Sequence, residues 1–403
     1  MSEGADAELH GDLKTFVVGS FGYPVVDLPG LPEQPPVIGS GSGVADLRLK
    51  LTLRGVGWRA EVHHSASMLS GSSGGLTSGS STGVGLTAPE LVDLTWEPEL
   101  GDGLTVRGRV DRLLFAAQLP HLSVTLGRQP IAFGTGLVFA PLDLVNPFSP
   151  ATIDSEYRPG VDAARADAYA GVSSRLSVVA AWSGAAPPYS EDAAPIGWTD
   201  AVVAADGQFT VGVTDVQGFV GLVRGDRVVG GAVASSVGPV GVHADATLTF
   251  PDPQLEDTEP FVRAVAGGEV RPTGKTTVAV EGYLQTFGEG DPSEYLAAFG
   301  DPRFARGEVW LLGRAYAALS VAQELTPLVN ASAAVIANLE DPSALIAPSI
   351  GWSLADDASL ALGGFVGAGP RPDPVSIESP ALTPNSEFGL YPHALYLSMR
   401  AYF

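Results

Sequence analysis

A chain of 403 residues with 50 glycines, 32 prolines and no cysteine excludes disulfides and thiolate metal sites. A formal net charge of -23 excludes the basic stripe that nucleic-acid binding requires, and the lack of any apolar run of about eighteen residues excludes a transmembrane helix. Mean hydropathy is nevertheless positive at +0.19, which fits a body whose outer surface needs no polar coat. No signal peptide is visible, since Met1-Ser2-Glu3-Gly4 runs directly into polar sequence, and a mature form with an added start Met is the expectation.

A first strand is predicted from Glu8 to Gly19, with Glu8, His10, Asp12 and Lys14 opposite Leu9 and Leu13, and residues 20–42 form a Pro/Gly-rich connection. From Ala45 to Arg54 the alternation is strict. Ala45, Leu47, Leu49, Leu51 and Leu53 take one face, and Asp46, Arg48, Lys50, Thr52 and Arg54 the other. The pattern returns after Gly55-Val56-Gly57, with Arg59, Glu61 and His63 opposite Trp58, Ala60 and Val62, which reads as a hairpin. Residues 69–87 are low-complexity and are expected as an extracellular loop.

Strands are read at 88–98 and 104–117, the second with Thr105, Arg107, Arg109 and Asp111 on one face until Arg112 breaks the register. After Leu122 to Leu126 come Gly127-Arg128-Gln129-Pro130-Ile131-Ala132-Phe133-Gly134 and Pro141-Leu142-Asp143-Leu144-Val145-Asn146-Pro147-Phe148-Ser149-Pro150. Four prolines bar this stretch from a central strand, and it is too apolar to dangle in water. A structured loop at about 130–160 is the expectation. Later strands are predicted at about 164–170, 176–182, 198–206, 209–223, 227–236, 240–250, 260–271, 275–287, 307–323, 327–338, 344–354, 358–369 and 391–403. On them His243, Asp245, Thr247, Arg263, Glu269, Arg271, Glu281 and Gln285 are read as inward.

Short turns alternate with long acidic connections, as in a barrel with periplasmic turns and extracellular loops. The raw count is nineteen, odd for such a barrel, and splitting 88–98 from 104–117 is the excess. The prediction is all-β: one transmembrane antiparallel β-barrel over residues 1–403 with eighteen strands, sixteen being the alternative.

The final strand alternates to the end, with Leu395, Leu397, Met399, Ala401 and Phe403 on the apolar face. It resembles the last strand of bacterial outer-membrane β-barrels, whose terminal Phe is read by the insertion machinery. Phe403 fills that role here, although Ala401 stands where the family has an aromatic. The 127–146 stretch is similar to the GRQ…PLDLxNP motif of a group of porin-like outer-membrane proteins, with Phe133 where the group has Trp. The resemblance covers residues 104–170 and implies the barrel, the loop and an outer-membrane location.

Candidate pore-lining residues are Arg48, Lys50, Arg54, Arg59, Glu61, Arg107, Arg109, Asp111, Arg165, Asp167, Arg263 and Glu269. Either they pair locally and keep the lumen wet, or arginines near 48–59 and 107–109 face acidic groups across the pore and filter solutes by charge. Asp143, Asn146, Asp154, Glu156 and Arg158 are the candidates of a constriction loop; a cap on the rim is the equal alternative. His63-His64 beside Ser65 and Ser67 is the one local Ser–His cluster, but adjacent histidines point to opposite faces and cannot both serve one site, so a fortuitous pair is the expectation; six histidines without cysteine give no metal spacing. Acidic loops such as Glu256-Asp257 and Glu289 to Glu294 either bridge lipopolysaccharide through divalent ions or are simply solvated. The function expected is a porin or channel for small polar solutes, without cofactor or enzymatic activity. Its partners would be outer-membrane lipid, lipopolysaccharide and the insertion machinery. The alternative is a structural or assembly barrel, homo-oligomeric or bound to envelope proteins, with little conductance.

Overall fold

The structure, a computed structural model, describes residues 6–23, 38–71, 91–101, 104–146, 157–182, 200–253, 259–298, 300–305, 307–375 and 382–403. Among them twenty strand segments make one sheet, and two of these, Thr95–Trp96 and Glu99–Gly101, are too short to span it. The remaining eighteen are β1 (Asp6–Gly22), β2 (Ile38–Gly55), β3 (Trp58–Gly71), β4 (Leu104–Leu119), β5 (Leu122–Gln129), β6 (Val161–Ala170), β7 (Ser174–Trp182), β8 (Ala201–Val211) and β9 (Thr214–Val223), with a second half as follows. It comprises β10 (Asp226–Val237), β11 (Val240–Phe250), β12 (Phe261–Thr273), β13 (Thr276–Gln285), β14 (Ala315–Thr326), β15 (Val329–Asn338), β16 (Ser343–Ala355), β17 (Ala358–Ala368) and β18 (His393–Tyr402).

Each strand pairs antiparallel with its neighbour, and β1 closes on β18 from Asp12↔Tyr402 to Phe21↔His393. Beyond that ladder Gly11 and Phe403 exchange both backbone hydrogen bonds, at 2.7 and 2.9 Å. The chain therefore ends as a paired strand with no frayed edge. No helix among the described residues is long and apolar enough to cross a membrane.

The faces are inverted relative to a water-soluble sheet. On β1 Leu9 is 69% exposed, whereas Asp12 and Lys14, on the other face, are 0% and 2% exposed. The same holds around the ring, with leucines and valines of β2, β7, β9, β13 and β18 outside and Asp46, Asp206 and Glu281 inside. In water each large aliphatic group left outside would forfeit about 1.5–3 kcal/mol of burial. Facing hydrocarbon, it forfeits nothing, and the polar groups need a wet or self-satisfied interior.

Of the predicted 88–98 strand, the described residues 91–98 form no barrel strand. Residues 95–101 lie on the edge of β4 that β5 leaves free, pairing Thr95↔Arg109 and Glu99↔Thr105. The predicted break at Arg112 is a β-bulge: His63 faces Arg112 and His64 faces Val110, so Asp111 is extra. The turn expected near 207–208 sits at Gly212-Val213, with Gly212 at φ +66°. β2 starts at Ile38, inside the predicted connection, and residues 307–314 precede β14 instead of opening it. The low-complexity stretch lies outside the described residues beyond Gly71. Arg224-Gly225 and Leu339 to Pro342 are short connections at the loop end, so the short/long alternation is imperfect.

Candidate pore constriction

β5 is cut short by its own sequence. Gly127 has φ +105°, and a Cβ there would strike the Leu113 carbonyl. Pro130 then withholds a ladder donor, and the chain turns into the lumen. Ile131, Phe133, Leu142, Leu144 and Val145 pack on the inner faces of β6 to β10 through Val161, Val179, Val202, Phe219 and Val228. Gly230 makes this approach possible, since a Cβ there would lie 2.8 Å from Leu142 Cδ2. Farther along, Phe139 stacks on Tyr283 and Trp310 at centroid separations of 4.9 and 6.3 Å. The loop lies inside the barrel, against its wall.

Two inward carboxylates hold the loop by its backbone. Asp245 accepts from the amides of Thr135 (2.8 Å) and Gly136 (3.2 Å) and from the Thr135 hydroxyl. Glu281 accepts from the amides of Leu137 (2.6 Å), Val138 (2.9 Å) and Phe139 (3.0 Å), and contacts His243 Nε2 at 2.7 Å. Buried guanidinium groups cover the exposed carbonyls. Arg224 donates to Leu144 O and Val145 O, both at 3.0 Å, and to Glu308 at 2.8 Å. It does so from a left-handed backbone, φ +50°, which the three contacts hold in place. Arg263 donates to Pro141 O (3.1 Å) and Glu308 O (2.8 Å), tying the loop to a second in-folded segment. At the neck Arg158 bonds Asp143 and Asn146 O, both at 2.6 Å, and Asn146 donates to Pro159 O at 2.7 Å. Burial pushes the Asp143 carboxyl up to about 6, against the opposing pull of Arg158.

The returning arm brings Tyr157 to the wall formed by β1 to β4. Its ring lies under Arg48 (3.8 Å to the centroid), Arg112 (4.7 Å) and Lys50 (5.6 Å), and its hydroxyl meets His63 Nδ1 at 2.9 Å. Around it Lys50 pairs with Asp12 (2.5 Å), and Arg48 pairs with Asp46 (3.2 Å) and Asp111 (3.1 Å). Arg109 stands 3.7 Å from Asp111, and Arg112 3.9 Å from Glu61. Arg48 is thus enclosed by carboxylates, while Lys50 and Arg112 keep part of their surface open with side-chain exposures of 28% and 21%.

No protein-family model matches the sequence, and no curated protein does. Solved structures do. OccAB1 of Acinetobacter baumannii aligns with TM-score 0.57 at 10% identity, over 98% of this chain and 96% of that one. The outer membrane protein OpdK of Pseudomonas aeruginosa aligns at 0.56 and 8%, over 99% and 98%. The fold is that of the Occ/Opd outer-membrane porins. OccK2 (OpdF) of Pseudomonas aeruginosa, solved in complex with glucuronate, aligns at 0.57 and 8%, over 99% and 98%. At these identities the Occ/Opd likeness is one of fold.

Within that porin fold the sequence-predicted lining residues fall into separate groups. Arg48, Lys50, Glu61, Arg109 and Asp111 gather around Tyr157. Arg54 pairs with Glu8 at 3.3 Å and Arg59 with Glu61 at 3.2 Å, both near the short turn at 56–57. Arg107 bonds Glu97, in the segment covering β4, at 2.8 Å. Arg165 and Asp167 bond each other at 2.8 Å on β6, Arg263 lies under the loop, and Glu269 is half-buried on β12. The ion pairs of the basic residues on β2 to β4 run along one wall, because adjacent strands bring partners closer than any opposite wall does. Arg158 bonds Asp143 and the loop's backbone, and Asn146 bonds Pro159 O, whereas Asp154 and Glu156 lie outside the described residues. Phe403 lies at the barrel's closing seam.

Sequence reasoning passed over Arg112, Tyr157, Arg128 and Arg224. Arg112 was hidden by the bulge, which moves the inner row to 112, 114 and 116. Arg128, of the glycine-arginine-glutamine triplet, is 1% exposed: it pairs with Asp162 (3.0 Å) and donates to Val110 O (2.8 Å) and Val92 O (2.7 Å). It stitches β4, β6 and the covering segment where β5 leaves the wall. Asp245 and Glu281 were read as inward, but nothing in the alternation says what they bind. Among the described residues no three His, Asp or Glu side chains are grouped to hold a metal.

Proposed function

We propose that the chain is a bacterial outer-membrane channel through which small polar solutes diffuse, with the 130–160 loop as its constriction. Transport, not catalysis, is the activity this reading assigns. The observation that carries it is the loop itself: an apolar, proline-stiffened segment folded inside a barrel and pinned to the wall by Asp245 and Glu281. The Tyr157 wall would favour anionic solutes, because Lys50 and Arg112 keep open surface there. The glucuronate bound in OccK2 is a solute of that charge in a barrel of this fold. The resemblance of residues 127–146 to the porin-like motif would mark the same in-folded loop, since Arg128 bonds where the chain leaves the wall and Asp143 and Asn146 bond at its neck. The apolar belt would meet lipid and lipopolysaccharide, and Phe403 the insertion machinery.

A structural barrel holding envelope proteins or copies of itself is the second reading, favoured by how much inner wall the loops cover. Planar-bilayer recording separates the two. Discrete conductance steps with an anion-leaning reversal potential, moved toward cations in K50Q/R112Q, support the channel. Silence supports the structural barrel, and unchanged selectivity in the double variant removes the charge filter.

A further inference from the structure

Below the loop, toward the short turns, the inner faces of β6 to β9 carry a polar belt that the constriction does not use. The register sets Tyr169, Arg175, Gln208 and Gln217 in one cross-strand row, and Asp167, Ser177 and Asp206 in the row above. The row borders a cavity of about 400 Å³ that also meets Thr135 at the loop tip and Thr210, a volume within the roughly 300–1,000 Å³ of small-molecule sites.

The belt is held in place yet incompletely satisfied. Arg175 Nη2 donates to Gln208 Oε1 at 2.7 Å, and Gln217 Nε2 to Asp206 Oδ2 at 2.6 Å. Arg165 and Ser177 both donate to Asp167 Oδ1, and Thr210 to Asp215 at 2.6 Å. Left over are Arg175 Nε, Gln217 Oε1 and Asp206 Oδ1, buried atoms without hydrogen-bond partners. Asp206 is 1% exposed, and Arg175 Nη2 is 3.9 Å from the unpartnered Oδ1. Arg175 and Gln217 line the cavity, so one donor and one acceptor there await a group able to give and take hydrogen bonds, with Asp206 Oδ1 in the row behind them. A hydroxyl does both.

We propose that this belt is a binding site for an uncharged polyhydroxylated solute of hexose size, seated on Tyr169 and bonded by Arg175, Gln208 and Gln217. An anion is disfavoured by Asp167, Asp206 and Asp215, because Arg165 already serves Asp167 and Arg175 serves Gln208. A cation is disfavoured by Arg175 at the centre of the row. Vicinal hydroxyls match the alternation of donor and acceptor, and the Tyr169 ring offers a sugar's C–H face an apolar platform. The inference rests on the channel reading only in that the solute reaches the site through the lumen.

The test is calorimetric titration of the detergent-solubilised full chain with glucose, glucuronate and glucosamine, in wild type, Gln217→Leu, Arg175→Met and Lys50→Gln/Arg112→Gln. Heat-modifiable gel mobility confirms that each barrel is folded. The proposal expects saturable glucose binding, weakened at least tenfold by Gln217→Leu and by Arg175→Met and unchanged by Lys50→Gln/Arg112→Gln. Any glucuronate binding should follow the opposite pattern. Absence of glucose binding by wild type, indifference to both belt substitutions, or tighter binding of glucosamine than of glucose would overturn it. Failure of the channel reading shows separately, as silence in the bilayer.

Discussion

Replacing Glu281 by Gln tests whether wall carboxylates hold the loop. The carboxylate takes three backbone amides, from Leu137, Val138 and Phe139, and the His243 ring. Gln keeps one oxygen. Placed where Oε2 lies it still serves Val138 and Phe139, but its amide group then confronts the Leu137 N–H. Losing one hydrogen bond to a charged acceptor is worth about 1.5–3 kcal/mol, and an unsatisfied buried amide costs about 1–3 kcal/mol more. A local loss of about 2.5–6 kcal/mol follows, confined to residues 137–139 because Asp245, Arg224 and Arg263 still hold the flanks. At about 1.4 kcal/mol per decade this speeds exchange of the 137–139 amides by about two to four decades. Hydrogen exchange read by mass spectrometry on the folded barrel checks it, with single-channel noise as the functional counterpart. Unchanged protection of residues 137–139 in Glu281→Gln would refute the reasoning.

Gly230→Val should lift the loop from the other side, since its Cβ meets Leu142 Cδ2 at 2.8 Å and Ala246 O at 2.7 Å, and conductance should change while the barrel stays heat-modifiable. Arg128→Met leaves Asp162 charged and without its guanidinium and strips donors from Val110 O and Val92 O; a loss of about 3–5 kcal/mol should lower the temperature at which the folded gel band disappears. Burial pushes Glu387, in the 369–392 connection, up to about 7 from 4.5, despite the opposing hydrogen bonds from Tyr316, Leu312 and Asn338. Between those values the native state holds a proton the unfolded chain has released, so stability falls as pH rises from about 4.5 to about 7 and is flat above. Glu387→Gln should remove most of that slope in melting temperatures recorded from pH 5 to pH 8; an unaltered slope would assign it to other groups.

The period of two was enough for the barrel. Leu47, Leu49 and Leu51 against Asp46, Arg48 and Lys50 specify one oily and one charged face, and the alternation from Leu395 to Ala401 suits the strand that pairs with β1. Even the excess element was identifiable, because 88–98 made the count odd. Boundaries failed where glycine chemistry decided them, as at Gly212, and the inner row of β4 failed at a bulge, where one extra residue exchanges the faces. The site was legible only as a stretch that had to leave the wall: Pro130, Pro141 and the apolar run could be neither strand nor solvated loop. Asp143, Asn146 and Arg158 looked like lumen groups but serve the loop's own neck, because a buried backbone must find partners nearby.

By itself the sequence determined that each strand has one apolar and one polar face, because side-chain alternation is a local property of extended chain. Tertiary structure alone decided which charges meet. Arg48 and Asp111, or Glu281 and the amides of residues 137–139, are far apart in sequence, and only barrel closure and the inward fold of the loop bring them within hydrogen-bond reach.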